Sequence, residues 1–571
     1  MCGIGGMLGQ PDPAILSRMI DLMRHRGPDG DGIFFDDNCG LAHARLAILD
    51  VVGSPQPLHG PGKVAVVNGE IYNHLSLKNP SYNYSTMGDS EIILSMHKGK
   101  RSAKDHAKWI SKLDGMFAFA LWSNDQLILA RDPVGIKPLM RTIVDDTLVF
   151  ASEAKALRAH EAYVPEIDTL AMKARIAWEY PLDATTLFAD VYQVRPGTVE
   201  VWELIDGIPK MTSSSRFEIQ KVEPAIDWND PAGLLESFTL SVSDRLMSDV
   251  PVGIVLSGGL DSSLVCAVAR EAAEIAKQPV PACWTVAESE DNPDWQAAEV
   301  VTSSLDLEHH QHILDPDTFH SKLPDLAWHG EDLDVTVLFF QPLFSKMSES
   351  VTVGLCGQGA DELHAGYPRY RDLSKHCKEI QSRLSDMNCN LEDLEGESWW
   401  SSNHSPQNHT KSLKDFLQFE LDHGQLSNFQ LRLVDRHSMA HSLEVRVPFL
   451  GSRHRDASNK LPMDWRLPSS LEEKAALRSA AELTSLPTEI IRRPKLPAGR
   501  ATSPRMIDSL LEDLSPYVNK VAKRYPELER ALIKQPEISI GLGLFEAMHI
   551  LDGGTHKRTG DVSSLLDEVV G

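Results

Sequence analysis

Residues 250–277 read VPVGIVLSGGLDSSLVCAVAREAAEIAK. VPVGIVLSGG is a continuous apolar strand that ends in glycines, and DSSLVCAVAREAAEIAK is a helix. The alternation continues downstream, with a strand at VPACWTV (280–286), a helix at DWQAAEVVTSSLD (294–306) and a strand at HHQHIL (309–314). Strands alternating with helices of a dozen or so residues predict a parallel sheet with helices on both faces. At the joint stand Ser257, Gly258, Gly259, Leu260, Asp261, Ser262 and Ser263. Glycines let the backbone approach a ligand closely, and a helix start offers unpaired N–H groups and a positive dipole end. Ser257, Ser262 and Ser263 add hydroxyl donors, so the turn is built for a phosphate or pyrophosphate. Asp261 would repel that anion unless a cation such as magnesium bridged the two. The same string also reads as a tight turn with a Ser/Asp helix cap. It is not the G-x-x-x-x-G-K phosphate loop.

The first part of the chain has a different texture. GLAHARLAIL (40–49), KVAVVNGEIY (63–72), GMFAFALW (115–122), QLILARD (126–132) and TLVFAS (147–152) are short β-type runs broken by turns. DSEIILSMHK (89–98) and SEAKALRAH (152–160) are the helix candidates among them. Periodicity weakens between Trp202 and Asp230, which places a domain boundary there. The polar stretch 372–424, with SWWSSNHSPQNH inside it, carries no clear pattern. At the other end the chain opens MCGIGG. If Met1 is trimmed, Cys2 carries both a thiol and a free α-amine. That pair is either a nucleophile with its own base or a buried thiol at the start of a strand.

With 571 residues the chain exceeds what one hydrophobic core supports, so at least two domains are expected. The 81 acidic against 56 basic residues leave a formal charge of -25, which argues against nucleic acid as a partner. An anionic substrate must then be captured by a local cluster of donors. The seven cysteines show no metal-type spacing, no signal peptide is evident, and no window approaches the roughly 18 apolar residues of a membrane helix. These features lead us to expect a soluble cytoplasmic protein.

Taken together, MCGIGG and SGGLDSS resemble one family, the glutamine-hydrolysing asparagine synthetases of the B type. The likeness extends through RHRGPD (24–29), LAHARLAILD (41–50), VVNGEIYN (66–73), GDSEIIL (88–94), LDGMFAFALW (113–122) and ARDPVGIKPL (130–139). It continues in GQGADELHAGYPRY (357–370) and DRHSMAHSLEVRVPFL (435–450), and thins beyond residue 500. The resemblance implies a multi-domain α/β chain. Residues 1–205 would form an αββα N-terminal nucleophile (Ntn) hydrolase sandwich that takes ammonia from glutamine. Residues 230–571 would form an α/β/α ATP-pyrophosphatase (PP-loop) domain with a parallel sheet.

By the same resemblance Cys2 is the nucleophile, and the Asn68 side chain with the Gly69 N–H forms the oxyanion hole. Arg45 takes the α-carboxylate of glutamine, and Asp89 with Glu70 takes its α-ammonium. Leu256, Ser257, Gly258, Gly259, Asp261, Ser262, Gly357 and Gln358 would hold ATP and pyrophosphate. Asp261 and Asp361 would hold Mg2+, and Lys474, in EEKAALR, would steady the reacting phosphate and acyl group. Glutamine, aspartate and ATP are the implied substrates, and a homodimer through the first domain is implied as well. Two features depart from the family pattern. Gln358 stands where well-studied members carry a glutamate, and in DLDVTVLFFQPLF (332–344) Thr336 is kept while the arginine position is apolar. A related amidotransferase acting on another carboxylate is therefore the alternative reading.

Overall fold

The structure, a computed structural model, describes residues 2–219, 230–390, 413–496, 501–554 and 560–571. The first half builds two antiparallel sheets from β1 (Gly3–Leu8), β2 (Gly30–Phe35), β3 (Cys39–Arg45), β4 (Leu58–Gly60), β5 (Lys63–Ile71), β6 (Gly115–Ser123), β7 (Gln126–Arg131), β8 (Met140–Val144), β9 (Thr147–Ala151), β10 (Tyr192–Gln193), β11 (Thr198–Ile205) and β12 (Ile208–Arg216). Their orders are β10-β8-β9-β1-β3-β2 and β12-β11-β7-β6-β5-β4.

Side chains alternate across a strand, and that alternation makes the layers. Ile4 and Leu8 of β1 pack with Val64 and Val66 of β5 and Ala118 and Ala120 of β6, between the two sheets. Met7 points the other way, to Leu16, Met19 and Met23 of helix α1 (Pro13–Met23), which covers the first sheet. Val67 and Phe119 face outward beneath Ala107 and Ile110 of helix α2 (Ala103–Ile110). The result is the αββα sandwich.

The second half carries β13 (Val252–Val255), β14 (Ala282–Ala287), β15 (His309–Ile313), β16 (Val353–Leu355) and β17 (Glu444–Arg446) in the order β15-β14-β13-β16-β17. Every pairing is parallel, with Ile254 opposite Cys283 on one side and Leu355 on the other. Helices α3 (Leu260–Ala276) and α4 (Pro293–Leu305) follow β13 and β14, as the alternation predicted.

Several local readings change. SEAKALRAH is not an α-helix but a 3-10 turn at Ala154–Ala159. Its first N–H groups, of Ala154 and Lys155, donate to the Glu331 carboxylate at 3.0 and 2.7 Å, so tertiary bonds set its geometry. DSEIILSMHK is helical only over Ile92–Met96, because Asp89 and Glu91 ahead of it bind other backbone N–H groups. The weakly periodic residues after Trp202 continue β11 into the β12 hairpin, so residue 205 falls inside that hairpin. The stretch SWWSSNHSPQNH lies outside the described residues.

A buried ionic seam joins the halves. Arg26 pairs with Glu153 at 2.8 Å and with Asp435 at 2.9 Å, Arg436 with Glu153 at 3.2 Å, and Lys155 with Glu331 at 3.2 Å. Asp435 and Arg436 lie on helix α5 (Leu431–Met439). Helix α6 (Pro536–His549), from the C-terminal region, sets Phe545 against Phe188 of the first half at 5.0 Å between ring centres.

Candidate functional sites

One cleft in the first half is lined by Cys2, Arg45, Gly69, Glu70 and Asp89. Three strands bring them together. Cys2 precedes β1, Arg45 ends β3, and Gly69 and Glu70 sit near the end of β5. The Cys2 N–H donates to Asn68 Oδ1 at 3.0 Å. The other end of that amide, Asn68 Nδ2, is buried without a hydrogen-bond partner. A donor left in that condition is costly unless a ligand or water uses it, which suits an oxyanion hole. Gly69 has φ +136°, and a Cβ there would stand 1.9 Å from the Met116 carbonyl oxygen, so only glycine fits.

Arg45 donates to the carbonyls of Val51 and Asp50 at 2.6 and 2.9 Å, which pins the loop at the cleft mouth. Asp89 accepts from the Ile71 N–H at 2.6 Å, and Glu70 lies 3.9 Å from Arg446 of the second half. Burial raises the pKa of both carboxyls, and their mutual repulsion adds to the rise of Glu70. Burial likewise pushes the Cys2 thiol up. Such a site favours a ligand that brings a positive charge to the two acids.

The second cleft opens at the C-terminal edge of the parallel sheet, where open α/β sheets bind ligands. It is lined by Ser257, Gly259, Asp261, Ser262, Lys474 and Lys495, among others. Gly258, with φ +68°, turns the chain so closely over α4 that a Cβ would meet Ala297 Cβ at 2.5 Å. Lys474, only 2% exposed, reaches Asp261 at 2.6 Å and Asp361 at 2.6 Å. Lys495 pairs with Asp361 at 2.6 Å and lies 3.8 Å from Asp261. Burial alone would raise the Asp361 carboxyl, but the two lysines outweigh it and hold it at about 2.

The sequence-derived residues thus gather into two groups. Gly258 shapes the turn behind the second cleft, Leu256 is buried in the core beneath it, and Gly357 packs against Asp261. Gln358 faces elsewhere and donates to Gln430 Oε1 at 2.6 Å. In the 332–344 segment, Asp332 and Asp334 are bound by Arg175 and Arg432, so arginines from other elements reach that segment.

Sequence reasoning passed over Lys495, Arg493 and Asp294. Arg493 pairs with Asp294 at 2.7 Å and points Nη1 at the Ser257 carbonyl. The one signal available was RRPK (492–495), a basic run in an acidic chain. For the metal, the donor set is two carboxylates that both face the same two ammonium groups, those of Lys474 and Lys495. Among the described residues no group of three or more His, Cys, Asp or Glu forms a metal cluster. Two carboxylates suit magnesium, which takes its remaining ligands from phosphate and water.

A family model described as asparagine synthase matches residues 233–538, and one described as glutamine amidotransferase domain matches residues 1–208. The chain belongs to the asparagine synthase family. "Asparagine synthetase [glutamine-hydrolyzing] 1" of Bacillus subtilis is 30% identical over 560 residues, spanning 87% of this chain and 86% of that one. The second such synthetase of Arabidopsis thaliana is 30% identical over 548 residues (91% and 82% of the two chains). Asparagine synthetase B of Escherichia coli is 29% identical over 539 residues (90% and 84%). The two family matches fall one on each cleft. Among the described residues no helix is long and apolar enough to cross a membrane.

Proposed function

We propose that this chain makes asparagine from aspartate, using ATP and ammonia taken from glutamine. The observation that carries the reading is the pairing of two complete clefts in one chain. One sets a thiol beside an unused amide donor, and the other sets two aspartates on a buried lysine at a phosphate-type turn.

In the first cleft the α-amine that Cys2 carries once Met1 is removed, with a pKa of roughly 7.7–8.0, accepts the thiol proton near neutral pH. The thiolate adds to the side-chain amide of glutamine. Asn68 Nδ2 and the Gly69 N–H receive the oxyanion, Arg45 takes the α-carboxylate, and Asp89 with Glu70 takes the α-ammonium. Ammonia leaves as the thioester forms, and water then releases glutamate.

In the second cleft the aspartate side chain displaces pyrophosphate at the α-phosphorus of ATP and becomes β-aspartyl-AMP. Ammonia then displaces AMP. Leu256, Ser257, Gly258, Gly259, Ser262 and Gly357 form the turn and loop that receive the phosphates, Lys474 neutralises charge there with Lys495 beside it, and Gln358, turned to Gln430, would join them only on reorienting. Asp261 and Asp361 would hold Mg2+, which supplies further neutralisation of the pyrophosphate when bound. The seven cysteines, none of them in a disulfide among the described residues, support a cytoplasmic location. A homodimer through the first domain belongs to the same proposal and rests on the family resemblance alone.

Gln358 and the apolar character of Leu338–Phe340 favour keeping a second acceptor in view, another carboxylic acid. The test is incubation with ATP, Mg2+, glutamine and a panel of acids. Asparagine, AMP and pyrophosphate in equal amounts with aspartate are expected. Pyrophosphate formed only with a different acid would overturn aspartate as the acceptor.

A further inference from the structure

The ionic seam between the halves does more than fasten them, because it ends on the nucleophile. Arg26 is fully buried, and its Nε–H donates to the Cys2 carbonyl oxygen at 3.1 Å. The rest of its guanidinium is divided between the halves. Nη1 donates to Glu153 Oε1 of the first at 2.8 Å and to Asp435 Oδ2 of the second at 2.9 Å, while Nη2 donates to Asp435 Oδ1 at 3.2 Å. Lys137 also faces Asp435, at 3.7 Å.

The first residue of a nucleophile chain is held by few covalent constraints, so its attitude depends on what grips its backbone. Here the Cys2 N–H is gripped by Asn68 and the Cys2 carbonyl by Arg26. The orientation of Arg26 is in turn fixed by a two-point carboxylate contact, which sets direction as well as distance. We propose that Asp435, a residue of the second domain, is a positioning residue for Cys2 in the first, acting through Arg26.

The helix that carries Asp435 gives the arrangement a further consequence. Gln430, which precedes α5, accepts the hydrogen bond from Gln358 beside the second cleft. One continuous helical stretch therefore touches both the Gln358 side chain and the Arg26 clamp on the Cys2 backbone carbonyl. Displacement of α5 would be felt at Cys2. The inference rests on the reading of Cys2 as the glutaminase nucleophile.

The test uses the full chain and the variants Asp435→Asn and Asp435→Glu. The first keeps the shape and removes the charge. The second keeps the charge and moves the carboxylate by one methylene, so it serves should the first fail to fold. Glutamate release from glutamine is expected to lose about tenfold or more in kcat with KM within twofold, because geometry and not substrate binding is disturbed. Ammonia-dependent synthesis in the same preparations is expected to stay within twofold of the parent. Equal glutamate release by parent and both variants would overturn the proposal. So would a parallel loss of both activities, which marks a structural role only. A parent chain that releases no glutamate would contradict the underlying functional reading as well, an outcome distinct from the other two.

Discussion

Two hydrogen bonds hold the Cys2 backbone, from its N–H to Asn68 and from Arg26 to its carbonyl, and the substrate site beside it keeps one amide donor unused. Asn68 Nδ2 is buried and unused, so its truncation should cost chemistry more than stability. Asn68→Ala is expected to lower kcat for glutamate release by about 10²–10³-fold. The check is steady-state kinetics alongside thermal unfolding.

Glu70 and Asp89 yield a second prediction at this scale. Burial raises both pKa values, so their anionic forms are lost on acidification at a higher pH than the usual carboxylate value of about 4.3. An ammonium is held only by the anions. Glutamine affinity for a Cys2→Ala chain, measured by calorimetry, should therefore weaken as the pH is lowered from 7.5 to 5. A flat profile over that range would mean the two acids do not hold the α-ammonium. Cys2 and Asp261 stand in short local patterns that single them out, whereas Lys474 is reached only through the family resemblance around EEKAALR. Lys495 was not legible, since its meaning comes from a contact with Asp361 that spans 134 positions.

The turn between β13 and α3 shows how an element carries chemistry. Gly258 holds φ +68° against the backbone of α4, a conformation and a clearance that a side chain cannot share. Gly258→Ala should cost about 1–2 kcal/mol for the left-handed conformation alone, with the clash added. The expected outcome is loss of ATP-dependent pyrophosphate release with glutaminase activity kept, measured on the same sample. Strand and helix alternation made the parallel sheet readable, and short apolar runs gave five of the twelve described sandwich strands, β3, β5, β6, β7 and β9. The 3-10 turn at Ala154–Ala159 was misread as a helix for a physical reason. Its N–H groups bond to Glu331, far along the chain, and local propensity does not record that. The β11–β12 hairpin was missed because β12 is exposed and polar along most of its length, so no apolar period marks it.

Across the whole molecule the domains are joined by charge as much as by apolar contact. Glu331 accepts two backbone N–H groups and faces Lys155 and Arg436. Burial opposes its ionisation, yet these cations hold its carboxyl at about 2. Glu331→Gln keeps the shape and leaves two buried cations short of charge. It should destabilise the chain by about 3–5 kcal/mol, read as an earlier urea midpoint. Such a seam was invisible in the sequence, since Arg26 and Asp435 stand 409 positions apart. The seam keeps two clefts of different chemistry in one body, and nitrogen released in one must be used in the other. Replacing Cys2 with alanine and supplying either glutamine or ammonium chloride, with ATP, Mg2+ and aspartate, tests that division most directly. The account predicts no asparagine from glutamine and near-normal asparagine, AMP and pyrophosphate from ammonium; asparagine still formed from glutamine, or lost from both nitrogen sources in a folded protein, would contradict it.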